Sequence, residues 1–221
     1  MAIKPIFLEA GAAVVLLPIS LIIFAAYAVR EGRVRAVLWL RTFGTAYGAV
    51  LASKAAFHWW GISIGSLGLY SVSSHAMLTA AIYPVLFQRV ASLWGERGQA
   101  WGWGVGLAAS MTMCVVLALG CFHTVAEVLF GAVLGLWVAV ANRGTLQTTA
   151  KLDVKKGVVL VILLFAILSL VGYVKPIKKA IWREMQNSFS SLPTYSRFMR
   201  SSPAGICQIS VIKIAPRGRE F

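Results

Sequence analysis

The amino-acid sequence predicts an all-α fold, a polytopic membrane helix bundle with six transmembrane helices. Of its 221 residues, 59% are hydrophobic and 13% are charged, whereas a soluble domain carries about 25% charged residues. Apolar runs long enough to cross a bilayer recur along the chain. The net charge is +14, but the basic residues lie in the short segments that flank these runs. That placement fits anionic lipid headgroups, so membrane lipids are expected partners and nucleic acid is not.

The six predicted helices follow the apolar runs. They occupy residues 7–29, 42–60, 73–93, 100–120, 121–141 and 157–174. Together they make a domain over residues 1–174, and residues 175–221 make a basic C-terminal tail that is expected to lie partly on the membrane surface. The cysteines Cys114, Cys121 and Cys207 are scattered, and their spacing predicts neither a metal site nor a disulfide framework.

The basic residues also orient the predicted helices. The segments around the ends of the first, third and fifth helices hold Arg30, Arg33, Arg35, Arg89, Arg97, Arg143, Lys151, Lys155 and Lys156. Residues 61–72 and the turn near Gly120 hold no Lys or Arg. By the positive-inside rule the basic segments are cytoplasmic, and the uncharged segments face outward together with the N-terminus. The side of the basic tail stays open.

Ionisable side chains gather in the outer layer of the predicted bundle. Six of them come from four helices: Glu9, Lys54, His58, His75, His123 and Glu127. Glu127 lies one helical turn after His123, so its carboxylate can reach the imidazole. Such a carboxylate fixes the tautomer of the ring and stabilises the cation that forms when the ring reacts. Ionisable groups at membrane depth indicate a functional site, although a polar pair can also hold two membrane helices together.

The start of the third predicted helix adds a second group of polar residues. Ser73 and Ser74 precede His75, and serines at such a position either cap the helix or help its free N–H groups to bind a phosphate. With Lys54 nearby, the outer layer has donors for a phosphate, a histidine to attack it and a second histidine to protonate a leaving group. Lys54 can instead extend toward lipid headgroups, and His58 can belong to an interfacial aromatic belt.

On these residues the chain resembles the type 2 phosphatidic acid phosphatase superfamily of membrane lipid phosphatases and phosphotransferases. That family reads Lys-x6-Arg-Pro, then Pro-Ser-Gly-His, then Ser-Arg-x5-His-x3-Asp. Its second motif matches Val-Ser-Ser-His at residues 72–75, with the Ser and the His kept. Its third motif matches His123-x3-Glu127, followed by a glycine at Gly131. The resemblance covers roughly residues 54–135.

The resemblance implies a phosphohistidine mechanism. His123 would be the nucleophile, Glu127 would orient it in place of the family's Asp, and His75 would be the general acid. The substrate-binding residues would be Ser73, Ser74, Lys54 and His58. No metal and no cofactor is implied. Both family arginines are replaced, by Gly61 in the first motif and by Leu117 in the third, although an arginine is the usual means of holding a phosphate's charge.

The expected function is therefore that of an integral-membrane lipid phosphatase on the extracytoplasmic side of a bacterial inner membrane. Its substrate would be a phosphorylated lipid, such as an isoprenyl (di)phosphate, phosphatidic acid or a lipid A-type phosphate. One alternative is a lipid phosphotransferase that moves a phosphate-linked headgroup between lipids. Another is a non-catalytic membrane assembly or binding subunit, which the missing arginines favour and the retained His-x3-Glu pair opposes. A protein partner that donates a basic residue would reconcile the intact histidines with the missing arginines.

Overall fold

The computed structural model describes residues 11–143, 180, 184, 193–201 and 207–214. Its first part, residues 11–143, forms five α-helices. They are α1 (Ala13–Arg30), α2 (Arg33–Trp60), α3 (Ser74–Ala91), α4 (Gly95–Leu119) and α5 (Val125–Ala141). Two strands follow, β1 (Thr194–Ser201) and β2 (Cys207–Ile214), and they pair as an antiparallel hairpin.

The prediction of an all-α bundle with six transmembrane helices is wrong. Among the described residues, one helix is long and apolar enough to cross a membrane, namely α4, with 25 residues and a mean hydropathy of 1.8. Helices α1 and α5 are apolar but shorter. Helix α2 has 28 residues but carries Lys and Arg along its length, which lowers its hydropathy. The chain also contains a two-stranded sheet, and the predicted sixth helix, residues 157–174, lies outside the described residues.

The helix boundaries differ from the predicted ones because capping and turn residues, rather than apolar runs, set them. Helix α2 begins at Arg33 instead of residue 42, since basic residues are good helix formers. Helix α5 begins at Val125 instead of residue 121, because Cys121 has a left-handed φ of 55° that reverses the chain after α4. A turn was predicted near Gly120, but the observed turn also includes residues 121–124, which were predicted to begin the fifth helix.

Helix α3 lies between α4 and α5, and glycines on both neighbours make this packing close. A Cβ at Gly106 of α4 would lie 2.5 Å from the Cα atom of Pro84, and a Cβ at Gly131 of α5 would lie 2.5 Å from the carbonyl oxygen of Ser73. Both separations are shorter than van der Waals contact allows, so a larger residue would push the helices apart. Gly131 thereby sets the distance between α5 and the first turn of α3.

A polar cluster ties the helices together at the end where α3 finishes. Arg89 of α3 forms an ion pair of 2.7 Å with Glu31, which follows α1. The Tyr27 hydroxyl donates to the Asn142 carbonyl oxygen at 3.0 Å, and the Asn142 amide donates to the Thr42 hydroxyl at 2.9 Å. These contacts join α1, α2, α3 and the end of α5 at the basic end of the helices.

The hairpin is anchored to the opposite end, where α3 and α5 begin. A disulfide joins Cys121, in the turn before α5, to Cys207, the first residue of β2. The prediction that the cysteines form no disulfide is wrong, because the two partners are 86 residues apart and only the fold brings them together. The hairpin lies within the stretch predicted to be a tail, and the bond fixes it on the side of the helices that carries the histidines.

Candidate active site at the N-termini of α3 and α5

The start of α5 is determined by a capping box. The Thr124 hydroxyl accepts the backbone N–H of Glu127 at 3.1 Å, and the Glu127 carboxylate accepts the backbone N–H of Thr124 at 3.3 Å. The sequence Thr-x-x-Glu satisfies two N–H groups that the first helical turn leaves without partners. The Glu127 carboxylate is thereby held by the backbone N–H of Thr124.

The Glu127 carboxylate also connects α5 to the segment that enters α3. Its Oε1 atom accepts the backbone N–H of Ser71 at 3.0 Å, and the Glu127 carbonyl oxygen accepts the N–H of Ser73 at 3.1 Å. The side chain is fully buried. A buried carboxylate is stable only when hydrogen bonds and opposite charges compensate for lost solvation, so this group is held in one orientation.

His123 lies in the turn before α5 and contacts this carboxylate directly. Its Nδ1 atom is 2.8 Å from Oε2 of Glu127, and 12% of its side chain is exposed. A carboxylate accepts but cannot donate, so a hydrogen bond across this contact places the proton on Nδ1 and leaves the lone pair on Nε2. Burial lowers the pKa of His123, and the contact with Glu127 opposes that shift without overcoming it. Burial therefore favours a neutral ring, and Nε2 lies on the side of the imidazole away from Glu127.

His75 faces His123 across the site. It is the second residue of α3, and its ring centroid lies 6.5 Å from that of His123. The two planes are tilted by 52°. A tetrahedral phosphoryl group placed between rings at this separation can contact both of them. The spacing of the helix starts thus brings together the pair of histidines that the sequence separates by one helix.

Arg197 of β1 is a site residue that no local sequence pattern predicts. Its Nη2 atom lies 2.7 Å from Oε2 of Glu127 and 2.9 Å from Nδ1 of His123, and 14% of its side chain is exposed. Nη2 can only donate, so the guanidinium and the imidazole N–H share one carboxylate oxygen. The available signals were Cys121, two residues before His123, and a second cysteine beyond Arg197, which together link the tail to the site.

Residues 61 and 117, which correspond to the two motif arginines of the lipid phosphatase superfamily, carry no polar side chain. Leu117 is fully buried in a cluster with Ala76, Met113 and Val128, where a guanidinium would have no partner. Gly61 ends α2 with a left-handed φ of 67°, and a Cβ there would lie 2.9 Å from the ring of Tyr195. The hairpin occupies the space into which a longer side chain at residue 61 would extend.

The predicted substrate-binding residues differ in how deeply they are buried. Ser73 is fully buried and its hydroxyl caps α3 by accepting the N–H of Ala76 at 3.4 Å, whereas Ser74 and Lys54 are partly exposed. The positive charge of Lys54 contributes to lowering the pKa of His123, which places it within electrostatic range. His58 lies in the last turn of α2, with Nδ1 3.2 Å from the carbonyl oxygen of Tyr195. The predicted Glu9 lies outside the described residues.

In the part of the chain that the structure describes, no three His, Cys, Asp or Glu residues are grouped closely enough to hold a metal ion. The donors that converge on the site are an imidazole pair, a guanidinium and an ammonium. The cationic groups can bind an anion, and an imidazole can act as a nucleophile or transfer a proton.

Comparison with known proteins shows a similarity to a bacterial protein. No protein-family model matches the chain, and no solved structure matches it. The chain is 33% identical over 130 residues to "Uncharacterized 22.5 kDa protein in cps region" of Klebsiella pneumoniae. The match covers 57% of this chain and 60% of the relative, so the chain spans less than two thirds of the relative's length.

Proposed function

We propose that this protein is a membrane-bound phosphohydrolase that removes a phosphate group from a phosphorylated lipid through a phosphohistidine intermediate. The observation that carries the proposal is the 2.8 Å contact of His123 Nδ1 with the buried Glu127 carboxylate, with the His75 ring 6.5 Å from that of His123. The contact leaves Nε2 of His123 unprotonated and oriented. A nucleophile, its orienting carboxylate and a second histidine are the groups that this reaction needs.

The reaction has two steps in this geometry. Nε2 of His123 forms a bond to phosphorus while the bond from phosphorus to the lipid oxygen breaks, and that oxygen takes a proton from His75. A water oxygen then bonds to phosphorus, its proton passes to His75, and the phosphorus–nitrogen bond breaks. Inorganic phosphate leaves and both histidines return to their starting states. Glu127 stabilises the positive charge that develops on the His123 ring in each step.

Exposed apolar surface supports a membrane location and a lipid substrate. Only 33% of the apolar stretch of α4 is buried. Large apolar side chains on α4 and α5 are exposed, including Val105, Met111, Val115, Leu119, Val125, Leu129, Val133 and Val140. A soluble monomer rarely exposes contiguous apolar surface on this scale. Exposed Trp60 at the end that carries the histidines and exposed Trp101 at the other end suit the two interfaces of a bilayer.

The disulfide supports an extracytoplasmic position for the site. Disulfides persist in oxidising compartments such as the bacterial periplasm and are rare in the cytosol. The Cys121–Cys207 bond lies two residues from His123, and the cluster around Arg89 lies at the opposite end of α3. Basic residues mark the cytoplasmic end of membrane helices. With a bacterial relative, these observations favour a bacterial inner membrane with the histidines facing outward.

The proposal is tested by phosphate release from a panel of lipid phosphates in detergent micelles. We expect His123→Ala to lower release by roughly 1,000-fold or more, because the nucleophile is lost. His75→Ala should lower it by about 100- to 10,000-fold, the usual contribution of a general acid. Thr112→Val is the matched control, since Thr112 is exposed on α4 and its hydroxyl bonds only to its own helix; release by this variant should equal that of the wild type.

The outcomes separate the alternatives. Release that is equal in wild type and His123→Ala would contradict the proposal. An absence of release, together with transfer of the phosphate-linked group to an added lipid alcohol, would indicate the phosphotransferase instead. An absence of both activities in folded protein would leave the non-catalytic subunit.

A further inference from the structure

We infer that Arg197 binds the phosphoryl oxygens of the substrate, so that the C-terminal hairpin supplies the positive charge that residues 61 and 117 do not. The inference rests on the phosphohydrolase function proposed above and adds a substrate-binding residue to it. Arg197 reaches the centre of the site, with Nη2 2.7 Å from Glu127 and 2.9 Å from His123. The contact is with Nδ1, and since both nitrogens belong to one small ring, a phosphoryl group bonded to Nε2 of His123 would also lie near the guanidinium.

Arg197 has a donor available for an anion without giving up its contact to Glu127. Nη2 holds the carboxylate, whereas Nη1 is 3.0 Å from the sulfur of Met199. A thioether is a weak acceptor, and a phosphate oxygen is a much stronger one. Nη1 can exchange sulfur for phosphate while Nη2 stays in place. The planar guanidinium then connects Glu127 to the substrate and keeps the carboxylate oriented toward His123.

The charges of the site also require such a residue. Among the groups that act electrostatically on His123, Glu127 is negative and Lys54 and Arg197 are positive. Glu127 and Lys54 alone sum to zero, whereas a phosphate monoester carries up to two negative charges. Arg197 makes the sum positive, and opposite charge within a few ångströms is what makes an anion site in a poorly solvated environment favourable.

The hairpin is built to hold Arg197 in this position. The Cys121–Cys207 disulfide fixes one end of the hairpin beside His123. At the other end, the Tyr195 carbonyl oxygen contacts His58 and the Tyr195 ring packs on Gly61. Residues two apart in a strand share a face, so Tyr195 and Arg197 both face the helices. An isolated hairpin is marginally stable, and these two anchors give it a fixed position.

The test uses binding of inorganic phosphate and orthovanadate to the full-length protein in detergent, measured by thermal shift and by inhibition of phosphate release. We expect Arg197→Ala to weaken binding of both anions by about 10- to 100-fold, as expected for a lost charge-assisted hydrogen bond. Arg197→Lys should recover part of the loss, because it restores the positive charge but not the paired N–H donors of the planar guanidinium. Lys213→Ala is the matched control, since it removes an exposed positive charge from the partner strand, and it should bind as the wild type does.

Folding is checked by counting reactive thiols in the denatured, unreduced protein. Each correctly folded variant should show one, from Cys114, because Cys121 and Cys207 are joined. Wild-type anion affinity in an Arg197→Ala protein with one reactive thiol would overturn the inference and leave the proposed function standing. Equal losses in Arg197→Ala and Lys213→Ala would also overturn it, because general charge would then explain the effect. A wild type that neither binds these anions nor releases phosphate would overturn the proposed function itself.

Discussion

At the scale of single residues, the Glu127 carboxylate organises the site. It accepts hydrogen bonds from the backbone of Ser71 and Thr124, and it contacts His123 and Arg197 through one oxygen. The spacing of four residues predicts the contact of His123 with Glu127 on one face of a helix, but the structure makes it differently, since His123 lies in the turn before the helix that Thr124 caps. The contact with Arg197 could not be predicted in this way, since 70 residues separate Arg197 from Glu127 and its position depends on a disulfide between distant cysteines.

The protonation of His123 gives a prediction about pH. Burial lowers its pKa below the ordinary value of about 6.5. Because only the neutral ring attacks phosphorus, the acid limb of phosphate release that belongs to His123 should lie below pH ~6.5. A profile of kcat/KM against pH measures this limb, and a limb at or above that value would contradict the assignment.

The same shift affects stability. Between the unfolded and the folded pKa the unfolded chain binds a proton at residue 123 that the folded chain does not. The free energy of unfolding should therefore fall as the pH drops below ~6.5, until the folded pKa is reached. This part of the pH dependence should be missing in His123→Gln.

At the scale of elements, α3 and α5 bring the residues of the candidate site together through close backbone packing. Gly131 lies against Ser73, the residue that caps α3. Gly135, one turn after Gly131, also packs against α3, and this spacing is typical of small residues at helix interfaces. The hairpin was not predicted, since its cysteine partner lies in the turn before α5 and no local pattern links the two.

Substitution of Gly131 tests the packing of α3 and α5. Gly131→Ala should lower the free energy of unfolding by about 1–3 kcal/mol, the usual cost of forcing extra volume into a packed interface. Gly104→Ala on α4 is the control, because a Cβ there meets no atom within 4 Å. Its effect should be neutral or slightly stabilising, since alanine favours a helix by up to about 1 kcal/mol. Thermal unfolding in detergent measures both, and equal midpoints for the two variants would contradict the packing argument.

At the scale of the whole molecule, the candidate site and the basic cluster lie at opposite ends of the helices. The histidines, the disulfide and the hairpin lie at one end of the helices, and the Arg89–Glu31 pair lies at the other. Each of the first five apolar runs falls on one of the helices α1–α5. Composition could not predict which helices are long enough to cross a bilayer, because charges and turn residues interrupt the runs. It also could not predict a sheet, since the hairpin depends on contacts with the helices.

The central claim is that His123 accepts the phosphoryl group. The most direct measurement is to mix the protein with a lipid phosphate labelled at phosphorus, quench rapidly at alkaline pH, where phosphohistidine survives, and locate the label by peptide mapping. We expect label on the peptide that contains His123, with none in His123→Ala. Label on another residue, or phosphate release by His123→Ala at the wild-type rate, would contradict it.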